Sequence, residues 1–391
     1  MRTRKSLTAL LIATASAAAF GQAQTGTTQT PAPPQPPLSV PVSSLAIYGT
    51  LDQYVSHIRS SSGTSITALE DGAYLRSRFG FRGMEALGGG LYARFQLEAG
   101  FSTDNGLPAD AGRAFDRQAW VGLGSAEAGE VRLGRQNTVI FGRGDYIDPT
   151  SRTLGSVINA FGVPSRFDND ISYTSPRLAG LLFEAHYALG ESTYKPGTQG
   201  IYQVGLDYLN GPYRVGYAGL RARAPETALY TTDVRYDNLY ANYDYGKGKV
   251  YVAYVRTNNS TSTSAGNNTG TILGNVGGLV AGNNPDVNRY YRIWQLSADY
   301  RVASNFRVAA LYGRIDDTSN TGRDANGAAL AGYYDLSRRT MLYAIAERLS
   351  NATNAGFRLA GSGALKSNFT SASDVNGQSV KGVQVGVLHR F

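Results

Sequence analysis

The residues that could do chemistry in this 391-residue chain are arginines. Tyr74, Arg76, Arg78, Gly80 and Arg82 fall on alternate positions, with Leu75, Phe79 and Phe81 between them. On an extended chain alternate side chains share a face, so three guanidiniums stand on one side and the apolar residues on the other. Arg94, Arg117, Arg132 and Arg135 on the next segments are candidates for the same wall, with Arg78 and Arg117 foremost. A guanidinium keeps its charge at every ordinary pH and offers a rigid fork of donors. Such a wall orients and attracts polar solutes; its chemistry is electrostatic rather than catalytic.

Other chemistries find little support. There are no cysteines, which excludes disulfide frameworks, thiolate metal sites and cysteine nucleophiles. Of His57, His186 and His389, only His186 is a plausible internal histidine, and no serine–acid arrangement points to it as a base. Neither a cofactor nor a metal is expected. Asp324-Ala-Asn-Gly327 resembles a fragment of a calcium loop but lacks the terminal acid, and Gly88-Gly-Gly90 has no helix behind it to bind phosphate. The formal charge of +8 falls to +5 without Arg2, Arg4 and Lys5. With no block of five like charges, a nucleic-acid partner is not expected.

The elements that must position the arginines are strands. From Leu91 to Phe101 the odd positions read Leu, Ala, Phe, Leu, Ala, Phe, while the even ones carry Tyr92, Arg94, Gln96 and Glu98. Leu181–Leu189, Tyr202–Tyr208 and Trp294–Arg301 repeat this one-apolar, one-polar pattern, and no segment holds a helical period. Short turns at 87–90, 125–129, 176–180, 210–212, 246–248, 303–304 and 337–338 alternate with long polar connections near 60–71, 103–112, 138–167, 191–199, 225–231, 259–288, 317–327 and 350–379. Fifteen connections predict sixteen strands, with both chain ends on the short-turn side so that the last strand closes on the first. This is the organisation of an all-β, antiparallel transmembrane barrel. Its strands average out as mildly polar, consistent with a mean hydropathy of −0.25 and no apolar run of 18 residues after the N-terminus. On the lipid side three arginines would cost several kcal/mol at mid-depth (~2–4 each), so their face lines the lumen.

A basic start, an apolar run to Phe20 and Gly21-Gln-Ala23 read as a signal peptide over 1–23, with Ala19 as the alternative cleavage site. Residues 24–44 form a Pro-rich linker, and 45–391 are the barrel.

Specific residues then resemble the general porins of Gram-negative bacteria, in their β-proteobacterial branch. They are Ile47-Tyr-Gly-Thr-Leu-Asp52, the run from Ser77 to Leu91, Phe95-Gln-Leu-Glu98, Arg117-Gln-Ala-Trp-Val-Gly-Leu123 and Leu133-Gly-Arg-Gln136. Ile171-Ser-Tyr-Thr-Ser-Pro176, Tyr334-Asp-Leu-Ser-Arg-Arg-Thr340 and Val387-Leu-His-Arg-Phe391 complete the series. The resemblance implies a trimeric sixteen-stranded barrel in the outer membrane that passes ions and small hydrophilic solutes by diffusion. It also implies a third long loop folded into the lumen opposite the arginines. Here that loop is about 138–167, and Asp145, Asp148 and Asp168 are the opposing acids. Phe391 resembles the family's assembly signal, read by the barrel-assembly machinery.

Lipopolysaccharide and outer-membrane lipid are the expected surroundings, and the homotrimer interface is placed near 45–135, where Ala93, Ala99 and Ser77 are small. Counting Arg76, Arg78, Arg82, Arg94, Arg117, Arg143, Arg152 and Arg166 against Asp145, Asp148 and Glu98 gives eight cations to three acids, hence weak anion selectivity. The alternative is a barrel acting as an adhesin or structural protein through its loops.

Overall fold

The computed structural model describes residues 43–190, 200–222, 234–258, 291–362 and 367–391. The signal and nearly all of the Pro-rich segment lie outside the described residues.

The alternating segments form β1 (Ser44–Ser60), β2 (Ser65–Asp71), β3 (Arg78–Gly88), β4 (Leu91–Gly100), β5 (Gln118–Ser125), β6 (Gly129–Asn137), β7 (Arg166–Thr174) and β8 (Leu181–Ala188). They continue as β9 (Ile201–Asn210), β10 (Tyr213–Ala222), β11 (Val234–Asp244), β12 (Lys249–Thr257) and β13 (Tyr291–Ala303). The last four are β14 (Phe306–Asp317), β15 (Ala325–Asp335), β16 (Thr340–Asn351) and β17 (Ser379–Arg390). All pair antiparallel in one sheet, and β17 closes on β1 with Thr50 opposite Arg390 and Ser60 opposite Val380. Closure leaves no strand edge for a bilayer to penalise. β2 and β3 both pair with β1, so they are two halves of one barrel strand and the barrel has sixteen.

That interrupted strand corrects two expectations. The connection expected near 60–71 is only a turn at 61–64, followed by β2. The strand expected to run unbroken from Tyr74 to Arg82 begins at Arg78. Gly72 takes φ +78°, and its N–H donates to the carbonyl oxygen of Asp52 at 2.9 Å. One carboxylate oxygen of Asp52 accepts from the N–H groups of Tyr74 and Leu75 at 2.8 and 2.7 Å. These amides, captured by a side chain, do not enter a ladder. Ser77 is buried here, its hydroxyl accepting from Asp52 N–H at 3.0 Å, and so is not one of the small outward residues expected at a subunit interface.

Along the later strands the faces alternate. On β17, Val380, Gln384 and Leu388 are buried inside while Val383, Val385 and Val387 are exposed outside. On β12 both faces are apolar: Tyr251, Ala253 and Val255 point in, Val250, Val252 and Tyr254 out. The inner residues are apolar because residues 138–165, between β6 and β7, fold inside the barrel and cover that wall. Within this stretch lie a 3-10 turn (Phe141–Arg143), α1 (Gly144–Ile147) and α2 (Val157–Phe161). Ile147, Leu154, Val157, Ile158 and Phe161 are all at most 1% exposed and belong to the same buried cluster as Tyr236, Val255, Ile293 and Ile345 of the wall. The wall is cleared to receive them. A Cβ on Gly327 would lie 2.8 Å, and one on Gly313 3.1 Å, from Val157 Cγ2.

Candidate pore constriction

The inward loop leaves a cavity of about 430 Å³ between itself and β3–β8. Three arginines expected on the wall, two in strands and Arg117 just before the start of β5, fall near one another, with different partners. Arg117 Nε donates to Glu98 Oε1 at 2.7 Å, and Arg78 Nε lies 3.4 Å from Glu98 Oε2. Arg132 lies 4.3 Å above the Trp120 ring and is ion-paired to Glu130. Arg78, Arg117 and Arg132 all line the cavity. A charge held by an aromatic face and a carboxylate keeps its position against thermal motion better than a free side chain does.

The remaining wall candidates lie elsewhere. Arg76 falls in the interruption, buried, with Nε 3.9 Å from Asp71. Arg82 is exposed at the short-turn end, 5.1 Å from the Tyr48 ring. Arg94 donates to Glu130 at 3.0 Å, level with the same end. Arg135 turns away at a bulge after Gly134, donating to the Asp116 carbonyl and to Asp168, both at 2.6 Å.

Of the three acids, only Asp145 reaches the cavity, exposed on α1. Asp148 is 1% exposed and holds the loop together. One oxygen accepts from the N–H groups of Thr150 and Arg152 and from the Thr150 hydroxyl, the other from Gln295 Nε2 at 2.8 Å. Its short side chain is saturated by its own turn and by β13, so it is a fastener and not an acid facing the arginines. Asp168 pairs with Arg113 and Arg135 and also stands away from the cavity.

Loop arginines already counted from the sequence, together with Glu184 and His186 of β8, complete the lining. Arg143 in the 3-10 turn bonds Glu184 on β8 across the loop–wall gap. Arg152 lies 4.4 Å from the Phe141 ring, and burial pulls its pKa below the ordinary arginine value, with Tyr236, Asp148 and Asp145 opposing. His186 faces the cavity with Nδ1 2.8 Å from the buried Asp170 carboxylate. The charged lining is therefore Arg78, Arg117, Arg132, Arg143 and Arg152 against Glu98, Asp145 and Glu184, five to three, with His186 beside them. This is a smaller surplus than the sequence count of eight to three.

The described parts of the last long connection, 352–362 and 367–378, also enter the barrel. Phe357 packs 5.8 Å from Phe161 of α2 and 6.1 Å from Tyr291, and Asn159 Nδ2 donates to the Ala360 carbonyl at 2.6 Å. Gly361 and Ser362 thereby reach the cavity rim. Its sequence is polar and gives no periodic sign of this.

A closed barrel with an apolar outside, a charged narrow lumen and an inward loop defines a membrane diffusion channel. The Gram-negative porin family profile matches residues 6–354, and the chain belongs to that family. It is 30% identical over 340 residues to an outer membrane porin protein of Bordetella pertussis, covering 81% of this chain and 82% of the relative. It is 27% identical to outer membrane porin protein 32 of Delftia acidovorans over 99% of this chain and all of the other. Among solved structures, an anion-selective porin from Comamonas acidovorans superposes with a TM-score of 0.72 at 26% identity, covering 90% of this chain and 100% of that one. The protein is an outer-membrane channel, not an enzyme.

Proposed function

We propose that the channel is weakly anion-selective and that the protein works as a homotrimer passing ions and small hydrophilic solutes. The observation that carries the selectivity is the five-to-three excess of arginines over acids around the cavity. The Debye length is ~8 Å at physiological salt, comparable with such a constriction, so fixed charge is only partly screened and raises the local anion concentration. The 26% identical structural neighbour is described as anion-selective, which supports the sign. A trimer is in keeping with a more distant neighbour of the same fold, Vibrio cholerae OmpT, described in a trimer form.

Reversal potentials in a potassium chloride gradient across planar bilayers test the proposal. The wild type should favour chloride, less so as salt rises, and Arg78→Gln/Arg117→Gln should lose most of that preference while still conducting. A cation-selective wild type would overturn the sign. A folded protein without conductance would leave the adhesin or structural reading.

A further inference from the structure

Positive charge is balanced unevenly around the constriction, and the imbalance collects at one ring. Glu98 is taken by Arg117 and faces Arg78, Glu184 is taken by Arg143, and Asp168 by Arg113 and Arg135. Arg152 in the inward loop and Arg166 at the start of β7 are left without a carboxylate: among the described residues neither is ion-paired, and the Nε of each has no hydrogen-bond partner. Both are nonetheless buried, at 5% and 7% exposure. A guanidinium taken out of water with no counter-charge is strongly unfavourable unless something else holds it.

What both have is Phe141. Arg152 Cζ lies 4.4 Å and Arg166 Cζ 4.7 Å from the centroid of its ring. A ring attracts a cation within ~6 Å, most strongly where water is excluded. Arg152 also donates to the Phe141 carbonyl at 3.3 Å. The loop is bent to make this contact. Ser151 and Arg152 take φ of +57° and +56°, left-handed values that cost an L-residue energy. Asp148 holds the bend by accepting from the Arg152 N–H at 2.9 Å. Phe141 is fixed in turn, its N–H donating to the Thr138 hydroxyl at 2.9 Å, and it lines the cavity together with Arg152.

A carboxylate and a ring differ in what they do to a field. A carboxylate holds a guanidinium and cancels its charge; an aromatic face holds it through a quadrupole and leaves the net charge whole. A cation kept out of water is also screened less by salt than an exposed one. The ring therefore lets two positive charges stand uncancelled beside a narrow passage, where an acid in its place would erase one of them.

We infer, resting on the anion preference proposed above, that Phe141 is a positioning residue for ion selectivity: its ring holds Arg152 and Arg166 uncancelled at the constriction. Without the ring, Arg152 turns into the cavity water toward Asp145, the exposed acid of the same loop that also lines the cavity, and its field at the passage weakens.

Reversal potentials in a potassium chloride gradient test this in wild type, Phe141→Leu, Phe141→Tyr, Arg152→Gln/Arg166→Gln and the triple variant combining the leucine with both glutamines. Heat-modifiable migration first shows each protein folded. The chloride-to-potassium permeability ratio should fall roughly twofold in Phe141→Leu, and Phe141→Tyr should keep the wild-type ratio. In the double glutamine background the leucine should change the ratio no further, because groups acting through one another are not additive. An unchanged ratio in Phe141→Leu would overturn the inference, since a ring that only packs the loop alters conductance and noise alone. An equal fall in the double glutamine background, or loss of the ratio in the tyrosine variant, would overturn it too. A cation-selective wild type would instead overturn the sign proposed above, and the dependence of the leucine effect on the two arginines would still decide the role of Phe141. Should Phe141→Leu fail to fold, Phe141→Met, an adaptable side chain without a ring face, decides by the same comparison.

Discussion

Arg117 and Glu98 are joined twice, once through side chains at 2.7 Å and once where the Arg117 N–H donates to the Glu98 carbonyl at 3.1 Å. The second bond lies at the end of the β4–β5 pairing, so the sheet itself fixes where this guanidinium stands. Glu98 also faces Arg78, which makes it the acid that offsets two wall cations at once. Glu98→Gln should therefore strengthen anion preference, shifting the permeability ratio by on the order of twofold. The reversal potential measures this, and a shift toward cations would show that Glu98 does not set the field.

Gln295 is the principal fastener of the inward loop. Its side chain donates to Asp148, and its oxygen accepts from the Val157 N–H at 2.8 Å. Gln295→Ala strands these buried partners, at ~1–3 kcal/mol. Single-channel recordings should show larger and noisier conductance, with the barrel still resistant to unfolding at room temperature. Quiet, wild-type-sized openings would mean the apolar contacts alone hold the loop.

Phe357 joins the last loop to α2. Phe357→Ala removes a fully buried ring, a change that ordinarily costs ~3–5 kcal/mol. The loss falls on the inserted loops, because the barrel ladder does not pass through residue 357. Conductance should rise and protease cutting within 352–378 should accelerate, whereas an unchanged cutting rate would place the ring outside the force holding that loop.

Phe391 covers Gly49 on the outer surface: a Cβ at Gly49 would lie 2.2 Å from Phe391 Cζ, and the two residues exchange backbone hydrogen bonds at 3.1 Å. Deleting Phe391 removes the end of the closing seam as well as the proposed assembly signal. Folded, heat-modifiable protein should then be lost from the outer membrane. Gly49→Val separates the two effects, since it keeps Phe391 but displaces its ring. Normal assembly of the deletion would exclude Phe391 as the signal.

Cysteine crosslinks between subunits should map to 45–135, where Leu45, Ile47, Val121 and Leu123 are exposed on the outer face. Crosslinks confined to β9–β13 would move the interface.

The sequence by itself determined the barrel. Alternation with period two and turns rich in glycine are local properties, so strand facing, strand number and closure follow from neighbours a few residues apart. The facing of Arg78 toward the cavity was legible for the same reason. The interruption of the second strand escaped because it depends on Asp52, some twenty residues earlier, capturing the amides of Tyr74 and Leu75. Only the tertiary structure decided the composition of the constriction. Asp148 is an acid in an inward loop whether it faces water or Gln295, and 147 positions separate the two. Likewise nothing local marks residues 352–362 as entering the lumen, since Phe357 is buried by Phe161 and Tyr291 from two other parts of the chain. Local periodicity sets which way a strand side chain points, but a loop's side chains are aimed by whichever distant wall offers apolar cover and unsatisfied hydrogen bonds.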